Sequence, residues 1–313
     1  MPQTVAIIGA GVSGLTCGVV FAERGYRTAI FAKETGQKTT SSVAAAVWFP
    51  YDAEPLRRVI PWALRTFDVL GDLVRVSATG VSMIELRQFS RSKEIQIPNW
   101  AIALGAFAVA TGLRPVFKSG FSLRVPLMDT TIYLDYLANR FAAAGGSIVT
   151  NVWFEKLEDV DRKFDLVINC AGIGARELVR DANLEPHRGQ VAIVPKIDKL
   201  SCAIVCDDAP FMYAIPRTND CVFGGTNDVS DNLAIDRATT RQIVEECSHV
   251  LKIEKPNVLA ERVGLRPFRR SGVRLEREKL RDGRTVIHNY GHGGAGFTLS
   301  WGCAHEVADM ATL

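Results

Sequence analysis

The chain has no stretch of about 18 uninterrupted apolar residues, so nothing in it reads as a membrane-spanning helix. It has no basic run with interleaved aromatics, and its formal net charge is only +3, which argues against a nucleic-acid partner. Its seven cysteines (Cys17, Cys170, Cys202, Cys206, Cys221, Cys247 and Cys303) are odd in number and lack zinc spacing. They read as buried thiols in a reducing, cytoplasmic setting, and no metal site is expected. The N-terminus lacks the basic region of a signal peptide, and the closing Met-Ala-Thr-Leu is not a peroxisomal tripeptide. No repeat or low-complexity tract is present. What remains is ordinary for a soluble enzyme of one large or two small domains: 313 residues, 47% hydrophobic and 23% charged.

What is present is most informative at the start. Thr4–Ile8 is an apolar, β-branched run that reads as a buried parallel strand. Gly9, Gly11 and Gly14 follow at G-x-G-x-x-G spacing, with Ala10, Val12 and Ser13 between them, and an apolar helical period continues to Arg24. Gly9 permits a tight turn, Gly11 lets backbone N–H groups approach a pyrophosphate, and Gly14 lets the helix pack close on the strand. A second strand, Arg27–Phe31, delivers Glu34 twenty residues after Gly14, where an acid can bind ribose hydroxyls. Strand, helix, second strand and acid in register indicate a dinucleotide site, for FAD or NAD.

Along the rest of the chain, Thr35–Ser42 is a polar loop, and Val43–Pro50 is either a buried strand or a smooth wall for a flat ring. Glu54–Arg75 and Leu127–Ala144 have helical patterns, while Ser82–Val125 is mostly strand and turn, punctuated by Pro98 and Pro115. Short strands are expected at Ser147–Thr150 and Asp165–Gly172, the second repeating the geometry of the first phosphate turn. Strands then run from Arg188 to about Asn227, a helix covers Asp236–Leu251, and strands lie around Arg262 and Arg274. Thr285–His288 leads into a second glycine loop, Gly291–Gly296, and a last helix, Thr298–Met310. The expected fold is α/β (mixed α+β). A Rossmann-like dinucleotide-binding domain, for FAD or NAD (1–50, 126–187 and 275–313), carries a mostly antiparallel substrate domain (51–125 and 188–274), inserted discontinuously.

Several stretches together resemble the D-amino-acid oxidase family. They are Gly9–Gly14, Thr39–Trp48, Val167–Gly172, Arg188-Gly-Gln190, Tyr213-Ala-Ile-Pro-Arg217, Gly264-Leu-Arg-Pro267, Val273–Glu278 and His288–Thr298, ending near Trp301–Ala304. They occur in the family's order along the whole chain, and the C-terminal block is the most specific. The resemblance implies FAD and oxidative deamination of neutral, apolar D-amino acids. Hydride passes from the substrate Cα to flavin N5, O₂ reoxidises the flavin to give H₂O₂, and the imine hydrolyses to ammonia and a 2-oxo acid. It implies an amino acid and O₂ as partners, no nucleic acid or membrane, and leaves a homodimer open.

Residue roles follow from the same resemblance. Arg274 matches the carboxylate-binding arginine, although pattern alone makes it a strand arginine facing core or solvent; a guanidinium fork suits an α-carboxylate. Tyr213 matches the tyrosine that bonds the same carboxylate, and the Gly294 carbonyl accepts from the substrate amine. Gly293, Gly296, Phe297 and Thr298 line the flavin at a helix N-terminus. Thr39, Thr40 and Ser41 match positions that hold phosphate and flavin. Ala44, Ala45, Ala46 and Val47 match the apolar wall beside the ring, and Phe154 and Ala171 go with the cofactor. The family's ribose-binding acid falls at Lys33, which shifts that role to Glu34. His288 and His292 invite a general-base role, but the family oxidises an already deprotonated amine, so both read as structural, as do His187, His249 and His305.

The chain also departs from the family. Ala209 stands where mammalian members carry a lid tyrosine, so the lid looks shorter. Phe49, Phe211 and Met212 suit apolar or bulky side chains, and only Arg217 offers a second cation for an acidic one. Three other functions compete: oxidation of glycine, N-methyl or cyclic amino acids as a tailoring step; a nicotinamide-dependent dehydrogenase; and a silent flavin-binding module.

Overall fold

The computed structural model describes residues 3–109 and 116–312; Pro115, expected as a break between strands, lies outside them. The strand Thr4–Ile8 forms where the β-branched run is buried, and it sits inside a six-stranded sheet. Its neighbours Arg27–Ala32 and Leu166–Asn169 are parallel to it, Ser147–Thr150 and Thr285–Tyr290 extend the parallel order, and Arg274–Lys279 closes one edge antiparallel. The strand ends at Gly9, whose φ of +107° an L side chain rarely adopts. The helix Val12–Glu23 follows at once. It is buried on nearly every side and packs against the helices Thr130–Ala143 and Gly296–Ala311.

The second sheet has nine strands and is almost wholly antiparallel. Its long members are Val81–Ser90, Ser119–Met128, Leu184–Pro195 and Ala260–Arg269. Cys202–Cys206, Met212–Pro216 and Asp220–Gly224 lie between them, and among the described residues only the pairing of Val81–Ser90 with Cys202–Cys206 is parallel. One face packs on the helix Arg237–Leu251, with Ala192, Ile204, Cys206, Met212, Ala214 and Phe223 in that core. The other face belongs to the main core, which runs without a break into the first sheet through Ala45, Ala46 and Trp48. The cavity lies at that junction.

Two elements differ from expectation. The pattern predicts a helix from Leu127, but Leu127 and Met128 stay in a strand paired with Ser82 and Val81. The helix starts at Thr130 because the Asp129 side chain caps it, accepting from the Thr131 N–H at 3.1 Å. The stretch Val43–Pro50 is not a strand. A short helix, Thr40–Val43, gives way to extended chain tied to the second sheet by a single bridge between Val47 and Leu127. The helix Leu56–Leu73, although placed with the substrate domain by its sequence position, packs chiefly on the last helix.

Candidate active site

A cavity of about 540 Å³ runs between the two sheets. One end is lined by Phe31, Ala32, Lys33, Glu34, Phe154 and Ala171; the middle by Gly9 to Ser13 and Thr39 to Ser41. Beyond these come Ala44 to Val47 and the loop Gly293–Thr298. The far end is formed by Phe49, Tyr51, Val205, Asp207, Phe211, Tyr213, Ile215 and Arg266.

The long limb has the form that a dinucleotide requires. The helix Val12–Glu23 begins after Gly11, which has no side chain to cap it, and has no acidic first turn, so the N–H groups beyond that of Val12 are left to face the cavity. Ser41 Oγ accepts from the Val12 N–H at 2.9 Å and brings a hydroxyl to the same place. Gly14 does not line the cavity. A Cβ there would lie 1.8 Å from the Gly9 carbonyl oxygen, so it serves close packing as expected. The last helix, at Gly296, also starts uncapped against the cavity. A nucleotide phosphate at the first helix and a flavin ring against Ala44–Val47 and the second helix fit this lining. Of the proposed cofactor residues, all except Gly14 line the cavity. Thr298 is committed in part, since its hydroxyl donates to the Phe49 carbonyl at 3.0 Å and accepts from its N–H at 3.1 Å.

At the far end two side chains lie on glycine. Tyr213 pairs directly across the sheet with Gly224, and a Cβ on Gly224 would fall 2.0 Å from the Tyr213 ring. Arg266 pairs with His187, so Gly189 is its diagonal neighbour on the same face, and a Cβ there would meet the guanidinium at 2.6 Å. The sheet thus leaves room for a guanidinium and a phenol to lie flat and within hydrogen-bonding reach of each other. Arg266 Nη1 donates to the Thr226 carbonyl at 2.9 Å and to Asn227 Oδ1 at 3.2 Å, while Asn227 Nδ2 donates to the Tyr51 hydroxyl at 3.1 Å. Burial holds both phenols protonated, Tyr213 above its ordinary value and Tyr51 at about 12. Gly294 lies under the Tyr51 ring, where a Cβ would be 2.4 Å from Cδ1.

Arg274 is a correction. It does not line the cavity. Its guanidinium donates to the Tyr290 hydroxyl at 2.8 Å, to Glu276 at 3.1 Å and to Glu278 at 2.5 Å. Positions 274, 276 and 278 share one face of an edge strand, so the arginine is neutralised by its own strand. Arg266, by contrast, makes no ion pair among the described residues. A site that must attract a carboxylate needs the second kind of arginine. The signal lies in the motif Gly264-Leu-Arg-Pro267, and strand register picks it out.

Two further side chains move. Met212, expected to shape the pocket, is fully buried in the core behind the second sheet, because alternation sends Tyr213 to the cavity and its neighbour away. Arg217 is bound to Asp220 at 2.6 and 2.8 Å and to Thr130 at 3.2 Å, away from the cavity. His288 and His292 are buried, and burial lowers both to about 4, aided at His288 by the charge of Arg274. His292 lines the cavity but bonds Asn289 at 3.0 Å, and His288 contacts Asn169 at 3.2 Å. The segment where a lid is expected is pinned: the Asp208 carboxylate accepts from Ser90 Oγ at 2.7 Å and from the Arg91 and Ser92 N–H groups at 2.6 and 3.0 Å. These bonds, the Ser90 hydroxyl first, hold its carboxyl at about 2.

Among the described residues no group of side chains could hold a metal ion, and no helix is long and apolar enough to cross a membrane. A profile of the family described as FAD dependent oxidoreductase matches residues 4–310. The chain is 39% identical to a D-amino-acid oxidase of Rubrobacter xylanophilus, over 97% of this chain and 94% of that protein. It is 39% identical to a D-amino-acid oxidase of Streptomyces coelicolor, over 98% and 96%. Human D-aspartate oxidase is 31% identical over 98% and 94%. In fold it is similar to glycine oxidase from Geobacillus kaustophilus, with a TM-score of 0.83, 18% identity, and 99% and 95% of the two chains covered.

Proposed function

The chain belongs to the D-amino-acid oxidase family of FAD-dependent oxidoreductases, and on that premise we propose that it deaminates D-amino acids oxidatively at the far end of its cavity. One amino acid, one O₂ and one water give one 2-oxo acid, one ammonium ion and one H₂O₂. FAD, bound along the long limb, supplies the two-electron acceptor and the route to O₂.

The observation that carries the assignment of residues is the Arg266–Tyr213 pair, a guanidinium without a carboxylate partner beside a protonated phenol. The substrate carboxylate would take two parallel donations from Arg266 and one from the Tyr213 hydroxyl, fixing its plane. Asn227 holds Arg266 and Tyr51 in register as a positioning residue. The Gly294 carbonyl is the acceptor we assign to the substrate amine. Neither His288 nor His292 moves a proton in this scheme, since both are buried with lowered pKa values and His292 is bonded to Asn289. The unit formed by 1–50, 126–187 and 275–313 would bind the cofactor, and the rest would bind substrate. We place the protein in a reducing cytoplasm, supported by seven buried cysteines with no disulfide among the described residues.

The test is to mix the yellow holoenzyme anaerobically with paired D- and L-amino acids and follow the oxidised-flavin absorbance. Bleaching by the D series alone, lost in Arg266→Leu with flavin still bound, is the expected result. Bleaching by the L series, or only by glycine and secondary amines, would overturn the proposal.

A further inference from the structure

The far end of the cavity also holds a carboxylate that the reaction does not use. Along Cys202–Cys206 the side chains alternate: Val205 lines the cavity, while Cys206 is buried in the core behind. Asp207 is the next residue on the cavity side, and Val205 lies directly across from Tyr213. The strand therefore carries its acid past the tyrosine, along the wall where a substrate side chain would extend. Asp207 keeps solvent-accessible surface, and it lines this cavity.

Its neighbours leave it unmatched. Asp207 Oδ2 accepts from Gln88 Nε2 at 2.9 Å, and that bond leaves Gln88 Oε1 buried with no donor. Asp207 makes no ion pair among the described residues. The charged groups that act on it are the carboxylates of Asp208 and Asp52 and, in the opposite sense and more weakly, the ammonium of Lys93. Burial, reinforced by the two carboxylates, raises its carboxyl above the usual range. A desolvated carboxylate and an orphaned amide oxygen at one corner make a place that lacks a donor. Tyr51, which lines the same end of the cavity, feels both the Arg266 guanidinium and the Asp207 carboxylate. Its ring lies nearly parallel to that of Phe211, 6.2 Å away. These aromatic walls suit a methylene chain that leads to a cation.

We propose that Asp207 recognises the substrate side chain and gives this site a preference for D-amino acids ending in a cationic group, an ammonium or guanidinium. This deepens, and rests on, the oxidase function proposed above. The α-carboxylate would pair with Arg266 and the distal cation with Asp207, so substrate charge and cavity charge would match at both ends. Phe49 and Phe211 would still admit apolar side chains, but those would leave the acid unpaired.

Matched substrates test it on the holoenzyme: D-lysine against D-norleucine, and D-arginine against D-citrulline, which differ chiefly in the charge. The expected kcat/KM favours the cationic member by on the order of tenfold. In Asp207→Asn that ratio falls toward unity, and in Asp207→Arg it reverses, with D-glutamate preferred over D-lysine. Equal or better use of the neutral member by the native protein overturns the inference, as does an unchanged ratio in Asp207→Asn. A loss in Asp207→Asn that is equal for both members would place the acid at the α-amine and overturn it too. Failure of every D-amino acid to bleach the flavin strikes the oxidase proposal first, and this one with it.

Discussion

The two ends of the cavity are built by different means. The cofactor limb is made largely of backbone, from a few short segments whose geometry is set by small residues at fixed spacing. The substrate end is made of side chains carried in from well-separated segments, at Tyr51, Asp207, Tyr213 and Arg266. The first depends on what cannot be there, namely a Cβ. The second depends on which side chains are left without partners. The cofactor limb should therefore fail as a unit when one atom is added, and the substrate end should fail selectively when one group is removed.

Adding a methyl at Gly14 is the most disruptive change we expect. The new Cβ would meet the Gly9 carbonyl at 1.8 Å, backbone against backbone, with no flexible side chain to give way. Gly14→Ala should purify with little or no bound flavin and melt at least about 5 °C lower, the scale of an overpacked core. Absorbance of the purified protein and a thermal scan check both. A variant that keeps full flavin content would mean that the helix start is looser than its geometry.

The two arginines sharpen the contrast within one residue type. Arg266→Leu should keep its flavin and its fold yet lose on the order of a thousandfold in kcat/KM, the cost of removing one partner from a desolvated charge pair. Arg274→Ala should do the reverse. It strips the shared cation from Tyr290, Glu276 and Glu278, for about 1 to 3 kcal/mol of stability by denaturant titration, with KM near the native value. If Arg274→Ala raised KM and Arg266→Leu did not, the assignment of the two would be inverted.

The same contrast explains what could be read in advance. The dinucleotide turn was legible because its determinants are local: a β-branched strand, three glycines and a helix, all within Thr4–Arg24. The substrate arginine was not, because what distinguishes Arg266 from Arg274 is its neighbours. Arg266 lies diagonally over Gly189 of a strand about eighty residues earlier, and no spacing within one segment reports that. The neutralisation of Arg274 is written locally, as Arg-x-Glu-x-Glu on one strand face, whereas a match to a family position carries no information about those neighbours. Helix boundaries shifted for a third reason. Apolar content at Leu127 and Met128 suits strand and helix equally, and the Asp129 cap decides.

His288 and His292 are shared by both ends, one behind the glycine loop and one on the cavity wall, and they give the smallest effect. Folded, each stays neutral down to about pH 4; unfolded, each takes a proton near 6.5. Between those values the unfolded chain binds more protons, so stability is fully present above about pH 6.5 and declines as pH falls toward 4. The lowered carboxyls, such as Asp208 at about 2, act below this window, while Asp207, raised above the usual range, opposes the histidines toward its acid edge. Each should cost about 1 kcal/mol by pH 5.5, measured by denaturant titration at several pH values. His292→Gln should flatten part of that slope while lowering stability at pH 7 only modestly, because the amide can still meet Asn289. A native slope of zero from pH 7 to 5 would mean that neither imidazole is held neutral in the folded protein, and both would then be available for proton transfer at the loop where we assign none.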